Sequence, residues 1–207
     1  MYILTGSKTP GKSRAYKRDD VQYLDEDELR RLFAAIKAAG DAMHMAIFQV
    51  ALNRGLRASE VGLLLIERLR LKTGTLFVER LKNGVSGDYP LTDPELNALR
   101  KWVAIRGTVP GPIFLSRNHR PISRQRLDEL MKLYGAAAAI PKTKRHFHCL
   151  RHTAGTLRGE QGDLVEVQDL LGHRDVRNTM IYLRVRPKRR KLAGERWRGG
   201  LLEEPGG

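Results

Sequence analysis

The fold is decided by a stretch that reads His148-Cys149-Leu150-Arg151-His152, then Leu171-Gly172-His173, and finally Tyr182. Gly162 interrupts this stretch, and glycine adopts the left-handed conformation in which helices commonly end. The pattern therefore predicts two helices joined by a turn at Gly162. Gly172 is expected to end the second helix in the same way, so that His173 lies at its end. A short third segment, 175–182, then carries the tyrosine.

Apolar residues recur at helical spacing in the second predicted helix, and they are Leu164, Val167, Leu170 and Leu171. This spacing places them on one face of the helix, which is therefore expected to lie against a core. If both helices form, two histidines, an arginine and the tyrosine meet in one place.

The polar side chains of the stretch suit chemistry on a phosphate. Arginine holds two phosphate oxygens in a fixed fork, and histidine can move a proton near neutral pH. A tyrosine hydroxyl that a base activates is a nucleophile and can form a covalent intermediate. Taken singly, these residues have plainer interpretations as a core histidine, a solvated arginine and a packing tyrosine. Their joint occurrence favours the chemical interpretation.

The tyrosine recombinase (phage integrase) family has an active-site signature whose second half resembles His148-x-x-Arg151, Leu171-Gly172-His173 and Tyr182. The resemblance implies two further features upstream. One is an arginine in a Gly-Leu-Arg-x-x-Glu box, and the other is a lysine in a β-hairpin that follows the box.

The first of these features is the hexapeptide Gly55-Leu56-Arg57-Ala58-Ser59-Glu60. Arg57 is expected at the start of a helix, where backbone N–H groups without helical partners and the helix dipole also favour an anion. Glu60, three residues later, can reach back along the same face and orient the arginine. Alone, the hexapeptide indicates only a loop and a capped helix; with the later motifs it is a candidate part of the site.

The second feature is a predicted β-hairpin. Residues 75–80 are β-prone, Asn83-Gly84 is a strong two-residue turn signal, and residues 85–91 can return as the partner strand. Lys82 is then expected at the hairpin tip. An edge lysine usually serves as a solvated charge that prevents aggregation, but the resemblance implies that Lys82 is catalytic. Lys72 is the competing candidate, although it precedes the first strand of the hairpin.

The composition suits a basic globular protein. The chain has 207 residues, of which 41% are hydrophobic, and 38 Lys and Arg against 23 Asp and Glu give a formal charge of +15. This length supports one domain with a sizeable core. The charge favours a polyanionic partner, nucleic acid first, although ribosomal proteins and proteins of anionic membranes are also basic.

Cysteine usage and hydropathy give expectations about the compartment. Cys149 is the single cysteine, which excludes an intrachain disulfide and fits a reducing cytosol. No apolar run approaches the roughly 20 residues that span a bilayer, and the N-terminus lacks the apolar core of a signal peptide. We therefore expect a cytoplasmic, nucleoid-associated protein that does not enter a membrane.

Capping residues predict two helices before the hexapeptide. Asp25-x-x-Glu28 can cap the first helix, which Gly40 ends. Asp41 is expected to cap a second helix, which lies in the core and stops at Gly55.

Two more helices follow the hairpin. Residues 94–106 are expected to form an exposed helix, and Ser123 is expected to cap a helix that runs to Tyr134. The predicted fold class is mainly α with a small antiparallel β-hairpin or three-stranded sheet (α+β). The resemblance implies the fold of the tyrosine recombinase catalytic domain.

The expected domain organisation has three parts: a flexible basic arm at 1–20, the catalytic domain at 21–185 and a basic tail at 186–207. Most members of the family carry a helical DNA-clamping domain before the catalytic domain, and nothing here is expected to form it. The chain is then either a catalytic fragment or a member of the short subgroup of fimbrial phase-variation invertases. Four stretches resemble that subgroup, namely 57–60, 80–84, 114–117 and 172–174, which favours a natural minimal recombinase.

Several basic residues are candidates for contact with the DNA backbone, with a solvated loop as the alternative. They are Lys142, Lys144, Arg145 and Arg174. In this family the segment after the nucleophile often docks on a neighbouring protomer, so Trp197 and Leu201 are candidate anchors.

The resemblance implies a mechanism without metal or nucleotide. Arg57 and Arg151 clamp the non-bridging oxygens of the scissile phosphate and offset the charge that builds in the transition state. Tyr182 attacks phosphorus and forms a 3′-phosphotyrosine bond, with His148 as the expected base for a phenol whose free pKa is near 10.

The remaining two roles concern the phosphate and the leaving group. His173 is expected to donate a hydrogen bond to the phosphate, and Lys82 to protonate the departing 5′ oxygen. The 5′ hydroxyl of a second strand then reverses the step and exchanges the strands, which gives integration, excision or inversion. The implied partners are double-stranded DNA with specific recombination sites and further copies of the chain, as a homotetramer on DNA.

Three alternatives compete with this hypothesis. A type IB topoisomerase uses similar chemistry to relax DNA, and a non-catalytic DNA-binding regulator would explain the charge but not six matched positions. A zinc site has suitable ligand types in His146, His148, Cys149 and His152. However, these residues lack the spacing of a zinc motif, and His148 and Cys149 point to different sides of a helix.

Overall fold

The structure is a computed structural model that describes residues 21–81, 84–161, 164–173 and 179. The helices are α1 (Glu26–Ala39), α2 (Ala42–Asn53), α3 (Ala58–Val61), α4 (Asp93–Arg106), α5 (Arg124–Ala137), α6 (His148–Gln161) and α7 (Leu164–Leu171). The strands are β1 (Leu69–Arg70), β2 (Thr75–Val78) and β3 (Gly87–Pro90), and short 3₁₀ turns lie at Ile66–Arg68 and Lys142–Lys144. The strands form one antiparallel sheet in the order β1-β2-β3, so the predicted fold class is confirmed. The predicted arm at 1–20 and tail at 186–207 lie outside the described residues.

The first two helices begin at their predicted caps and α1 ends at the predicted Gly40, whereas α2 ends at Asn53, before the predicted Gly55. The Asp25 carboxylate accepts from the backbone N–H of Glu28 at 2.8 Å, and Glu28 accepts from that of Asp25 at 3.0 Å. Gly40 ends α1 with a φ of 70°, which favours glycine. Asp41 accepts from the backbone of His44 and begins α2. These local bonds satisfy helix-end groups that have no partner within the helix.

Helix α4 is more buried than the sequence suggested. It packs against α2 and buries Ala98, Leu99 and Val103. Its Glu95 is fully buried and forms a two-pronged ion pair with Arg54, with both N–O distances at 2.9 Å. The helix predicted at 94–106 is therefore present, but one of its faces is buried, because an apolar stripe and this ion pair attach it to the core.

The main core lies between α1, α2, α4, α5, the inner face of the sheet and the start of α6. Phe48 contacts the rings of Tyr134 and Phe147 edge to face, with centroids 5.8 and 5.7 Å apart. Helix α5 begins at its predicted cap, Ser123, and continues beyond the predicted end at Tyr134 to Ala137. Because this core holds α2 against α6, it fixes the segments that carry the site residues.

The hairpin differs from the prediction. Strand β2 ends at Val78, which pairs with Gly87 in β3, so the two-residue turn expected at Asn83-Gly84 does not join the strands directly. Leu76 and Val78 face inward, and Arg80 continues the same alternation into the interior. Beyond the last sheet pair at Val78, the Arg80 side chain forms a buried ion pair with Glu60.

The last two described helices occur as the sequence predicted, with α6 ending at Gln161 and α7 beginning at Leu164. Val167 and Leu171 are fully buried and Leu170 nearly so. Gly172 ends α7 with a φ of 59°. The predicted turn residue Gly162 and the side chain of Leu164 lie outside the described part. In the described residues, no helix combines the length and apolarity required to cross a membrane.

Candidate active site

The first half of the site is built around Glu60. Its carboxylate is fully buried and accepts from Arg57 twice, from the backbone N–H at 2.9 Å and from Nη1 at 2.6 Å. Arg57 lies at the N-cap of α3 with 18% of its side chain exposed. The reach of Glu60 back to Arg57 that the spacing predicts is therefore present, and it turns the guanidinium to a fixed direction while leaving part of it accessible.

The same carboxylate also holds a second arginine and the chain that follows it. Glu60 accepts from Arg80 Nη1 at 3.1 Å and from the backbone N–H of Leu81 at 3.2 Å. Burial by itself raises the pKa of Glu60, but the backbone hydrogen bond from Arg57 and the charge of Arg80 outweigh it, so the net pKa is lowered. Glu60 is therefore ionised and serves two guanidinium groups at once.

The second half of the site is built around Arg151, which is 2% exposed. Its Nη1 donates to the carbonyl of Gly55, and its Nη2 donates to the carbonyl of Leu171 at 2.8 Å. Nη2 also lies 2.8 Å from Nε2 of His173. Arg151 thus joins the chain before Arg57 to the end of α7, so segments far apart in sequence meet at one guanidinium.

His173 follows the glycine that ends α7 and is half-buried between these groups. Its Nδ1 lies 3.0 Å from the hydroxyl of Thr179, which is fully buried. Burial, then the charges of Arg151 and Arg57, lower the pKa of His173 to about 4. The ring is therefore neutral at pH 7, in a site whose nearest charged neighbours are mostly positive.

His148 and His152 form a ring pair on α6. His148 is exposed, His152 is buried, and the rings meet edge to face with centroids 4.6 Å apart. Burial, then the nearby charges of His148 and His146, lower the pKa of His152 to about 3. His152 is therefore neutral at physiological pH, and the ring of His148 rests on its surface, one turn of helix before Arg151.

The competing zinc site is not assembled in the part of the chain that the structure describes, which includes all four candidate ligands. No group of three or more His, Cys, Asp and Glu side chains there is placed to hold a metal ion. Cys149 is fully buried, and burial raises the pKa of its thiol to about 12, so the sulfur is a protonated group of the core.

Three candidate site residues, Lys82, Arg174 and Tyr182, lie outside the described residues. The described neighbour of Lys82 is Leu81, whose carbonyl accepts from Arg57 Nη1 at 3.2 Å. Lys72, the competing lysine, is exposed on the turn between β1 and β2.

The candidate DNA contacts before α6 differ in their surroundings. Lys144 Nζ lies 2.6 Å from a carboxylate oxygen of Glu28, and Arg145 Nε donates to the carbonyl of Ile140 at 2.6 Å. Lys142 is exposed. Lys144 and Arg145 therefore stabilise the linker into α6, which leaves Lys142 as the more accessible candidate.

Arg80 is the site residue that the sequence reasoning missed. Its side chain is fully buried and touches both halves of the site, through Glu60 and through the carbonyl of Leu170. A signal was available, because the alternation of Leu76 and Val78 places residue 80 on the inward face of the strand. An inward arginine next to a buried carboxylate indicates a paired buried charge.

Comparison with known proteins finds one matching family and relatives of similar length. The family model described as the phage integrase family matches residues 22–189. The type 1 fimbriae regulatory protein FimB of Escherichia coli K12 is 34% identical over 169 residues, covering 77% of this chain and 82% of FimB. The related FimE of the same strain is 33% identical over 190 residues, covering 88% of this chain and 94% of FimE.

A solved structure shows the same architecture. The crystal structure of XerA recombinase matches with a TM-score of 0.73 and 27% identity over 85% of this chain. The match spans 65% of the XerA chain, so that protein is considerably longer than the matched part. The overall fold described above is therefore shared with this recombinase.

Proposed function

The chain belongs to the phage integrase family, and on this basis we propose that it is a tyrosine site-specific recombinase. In this proposal it binds double-stranded DNA at specific sites, cleaves a strand through a 3′-phosphotyrosine intermediate and rejoins it to another strand. Integration, excision and inversion are all outcomes of this one reaction. The proposed acting form is a homotetramer on DNA, at the nucleoid in the cytoplasm.

The observation that carries the proposal is the convergence of Arg57, Arg151 and His173. Arg151 holds the carbonyl of Gly55, two residues before Arg57, and also contacts His173. Arg57 and Arg80 share the carboxylate of Glu60, so two guanidinium groups face one acid at this point of the site. Guanidinium groups placed in this way suit a phosphate diester that gains charge during the reaction.

Each site residue has a proposed role. Arg57 and Arg151 bind the non-bridging oxygens of the scissile phosphate, and Glu60 orients Arg57. The oxygen of Tyr182 forms a bond to phosphorus, and the bond from phosphorus to the 5′ oxygen breaks. His148 takes the phenol proton, and Lys82 gives a proton to the departing 5′ oxygen. The 5′ hydroxyl of another strand later attacks the phosphotyrosine and reverses these bond changes.

His173 needs a change of protonation for its proposed role. In the structure its Nε2 faces Arg151, and its pKa is lowered to about 4, chiefly by burial and then by the arginines. A bound phosphate brings negative charge to the same place and raises the pKa of the ring. We therefore expect His173 to become a donor to the phosphate only after DNA binds.

The test is the substitution Tyr182→Phe, which removes one oxygen and keeps the ring. Nicked duplexes trap the covalent intermediate, because the short strand after the cleaved bond diffuses away. Candidate duplexes carry inverted repeats from DNA next to the gene, or sequences selected from random duplexes by binding. The parent should form a protein–DNA adduct that resists denaturant, whereas Tyr182→Phe should bind the same DNA with unchanged salt dependence and form none.

Tyr89→Phe is the matched control. Tyr89 is buried near the site, and its hydroxyl faces the carbonyls of Val85 and Asp169 at 3.4 Å. This variant should keep the adduct. An adduct in Tyr182→Phe would show that the nucleophile is another residue. Binding to selected DNA without any adduct in the parent would favour a non-catalytic regulator, and relaxation of supercoiled plasmid without strand exchange would favour a topoisomerase.

A further inference from the structure

Arg80 is a buried arginine that lies between the two halves of the candidate site. Its Nη1 pairs with Glu60 at 3.1 Å. Its Nη2 donates to two backbone carbonyls, those of Arg54 at 2.8 Å and Leu170 at 2.5 Å. One planar guanidinium therefore connects the acid that holds Arg57, the end of α2 and the last turn of α7.

The surroundings of Arg80 are shaped to fit its side chain. Gly172 approaches so closely that an added Cβ would lie 3.0 Å from Arg80 Cγ. An added Cβ at Gly84 would lie 2.7 Å from Arg80 Cβ and 2.8 Å from the carbonyl oxygen of Gly172. The Arg80 side chain is thus enclosed by backbone from the loop after β2 and from the end of α7, and a bulkier neighbour at either glycine would displace it.

Arg80 cannot itself reach DNA, because its side chain is completely buried. Its influence must pass through the groups that it holds. Glu60 bonds both Arg80 and Arg57, and His173 follows Leu170 by three residues. A shift of Arg80 would therefore change the distance between the Arg57 guanidinium and the His173 ring.

We propose that Arg80 is a positioning residue for DNA cleavage, which holds Glu60, and with it Arg57, at a fixed separation from the α7 end that carries His173. This proposal rests on the function proposed above. It assigns Arg80 to the alignment of the groups that bind the phosphate, and not to the proton transfer to the leaving oxygen.

The alternative is that Arg80 only stabilises the fold. The chain contains a buried pair for comparison, since Arg54 and Glu95 bond each other and Arg54 Nη1 holds the carbonyl of Pro90 at 2.9 Å. The side chains of this pair do not bond Arg57, Glu60 or His173 in the described residues. The double variant Arg54→Met/Glu95→Gln therefore removes a buried ion pair of similar size and keeps the backbone carbonyl of Arg54 that accepts from Arg80 Nη2.

The experiment compares Arg80→Met, Arg80→Lys and this control on two nicked duplexes. One duplex carries the natural phosphodiester, and the other carries a methylphosphonate at the scissile position, which removes the negative charge of a non-bridging oxygen. Cleavage of the neutral substrate depends less on aligned arginines. A loss of folded protein, in contrast, lowers both rates by the same factor and leaves their ratio unchanged.

Arg80→Met should bind DNA within about threefold of the parent, because the exposed basic surface is intact. It should cleave the phosphodiester about 100-fold more slowly. Its ratio of methylphosphonate to phosphodiester cleavage should rise about tenfold or more over the parent. Arg80→Lys should also slow phosphodiester cleavage and raise this ratio, because one ammonium group cannot bond Glu60 and both carbonyls. The control should keep the parent ratio.

The outcomes separate this inference from the proposed function. No adduct in the parent contradicts the recombinase proposal itself. An active parent with an unchanged ratio in the folded Arg80 variants overturns only the positioning role. If both Arg80 variants fail to fold while the control folds, Arg80 is a structural residue, and the inference is also overturned.

Discussion

Arg151 lies with Nη2 2.8 Å from Nε2 of His173, and this contact determines which nitrogen of the ring carries the proton. A guanidinium has donors and no acceptor, so Nε2 must accept. The ring proton is then on Nδ1, which faces the Thr179 hydroxyl at 3.0 Å. Without DNA, His173 is therefore neutral and oriented as an acceptor on the side that faces Arg151.

Arg151→Lys is expected to abolish cleavage and weaken the fold together. Lysine offers one ammonium group, which cannot reach the carbonyls of Gly55 and Leu171 and also the His173 ring. Each buried carbonyl left without a donor costs about 1–3 kcal/mol of stability, and cleavage should fall at least about 100-fold. Urea unfolding and adduct formation measure the two effects. Arg158→Lys, on the exposed face of α6, should change neither, and a fully stable Arg151→Lys would contradict the structural part.

Stability is expected to fall as the pH is lowered from about 6.5. Burial lowers the pKa of His152 from its ordinary 6.5 to about 3, so the unfolded chain takes up a proton that the folded chain excludes. This contribution is complete above pH 6.5 and is lost as the pH falls, at up to about 1.4 kcal/mol per pH unit. The pKa of His173 is also lowered, to about 4, so this residue likewise reduces stability as the pH falls. Urea unfolding at several pH values between 6.5 and 4 measures the slope.

His152→Gln should flatten part of this slope, because it removes the group that the fold keeps unprotonated. The matched control is His119→Asn, since His119 is exposed and its φ of 56° is one that asparagine tolerates. That variant should keep the parent slope. An unchanged slope in His152→Gln would show that His152 is not the source.

Lys82→Ala should slow cleavage severely, because the departing 5′ oxygen then lacks its proton donor. A substrate with sulfur in place of that oxygen needs no proton and should restore the rate of the variant. Lys72→Ala, at the exposed turn between β1 and β2, should cleave both substrates like the parent. If sulfur fails to rescue Lys82→Ala, or rescues Lys72→Ala instead, Lys82 is not the general acid.

Gly84→Ala and Gly87→Ala form a matched pair. At Gly84 the new Cβ would lie 2.8 Å from the carbonyl oxygen of Gly172, and backbone yields little. We expect a loss of about 1–3 kcal/mol, typical of overpacking, and slower cleavage. At Gly87 nothing lies within 4 Å, so alanine should be tolerated there. Thermal unfolding and adduct formation test the pair, and equal behaviour of the two variants would contradict the packing described around Arg80.

Local signals predicted much of the helical structure. Asp25, Asp41 and Ser123 mark helix starts because each side chain bonds a backbone group within its own segment. Gly40 and Gly172 mark helix ends through their left-handed conformation. These bonds involve neighbours in the sequence, so they are visible without knowledge of the tertiary structure.

Long-range pairs were not predictable in the same way. The buried bond between Arg80 and Glu60, just beyond the end of β2, joins segments 20 residues apart and was not visible in the turn signal of Asn83-Gly84. The helix expected to be exposed at 94–106 is buried along one face, where Glu95 pairs with Arg54. Charged residues have surface preferences on average, so the sequence alone does not reveal which of them find partners in the interior.

Residue types, spacing and the family resemblance predicted the site, whereas the internal contacts of Arg151 came only from the structure. Taken alone, Arg151 was interpreted as a solvated arginine, yet only 2% of its surface is exposed. Lys82 and Tyr182 stay sequence predictions, since both lie outside the described residues.

The bonds of Arg151 to two backbone carbonyls have a consequence for how such sequences diverge. A descendant that lost cleavage but kept its fold would still be under pressure to retain Arg151, because the carbonyls of Gly55 and Leu171 need a donor. Arg57 is partly exposed and is held by one acid and one carbonyl, so its substitution should cost less stability. Among related sequences that no longer cleave DNA, the arginine at position 57 should therefore be replaced more often than Arg151.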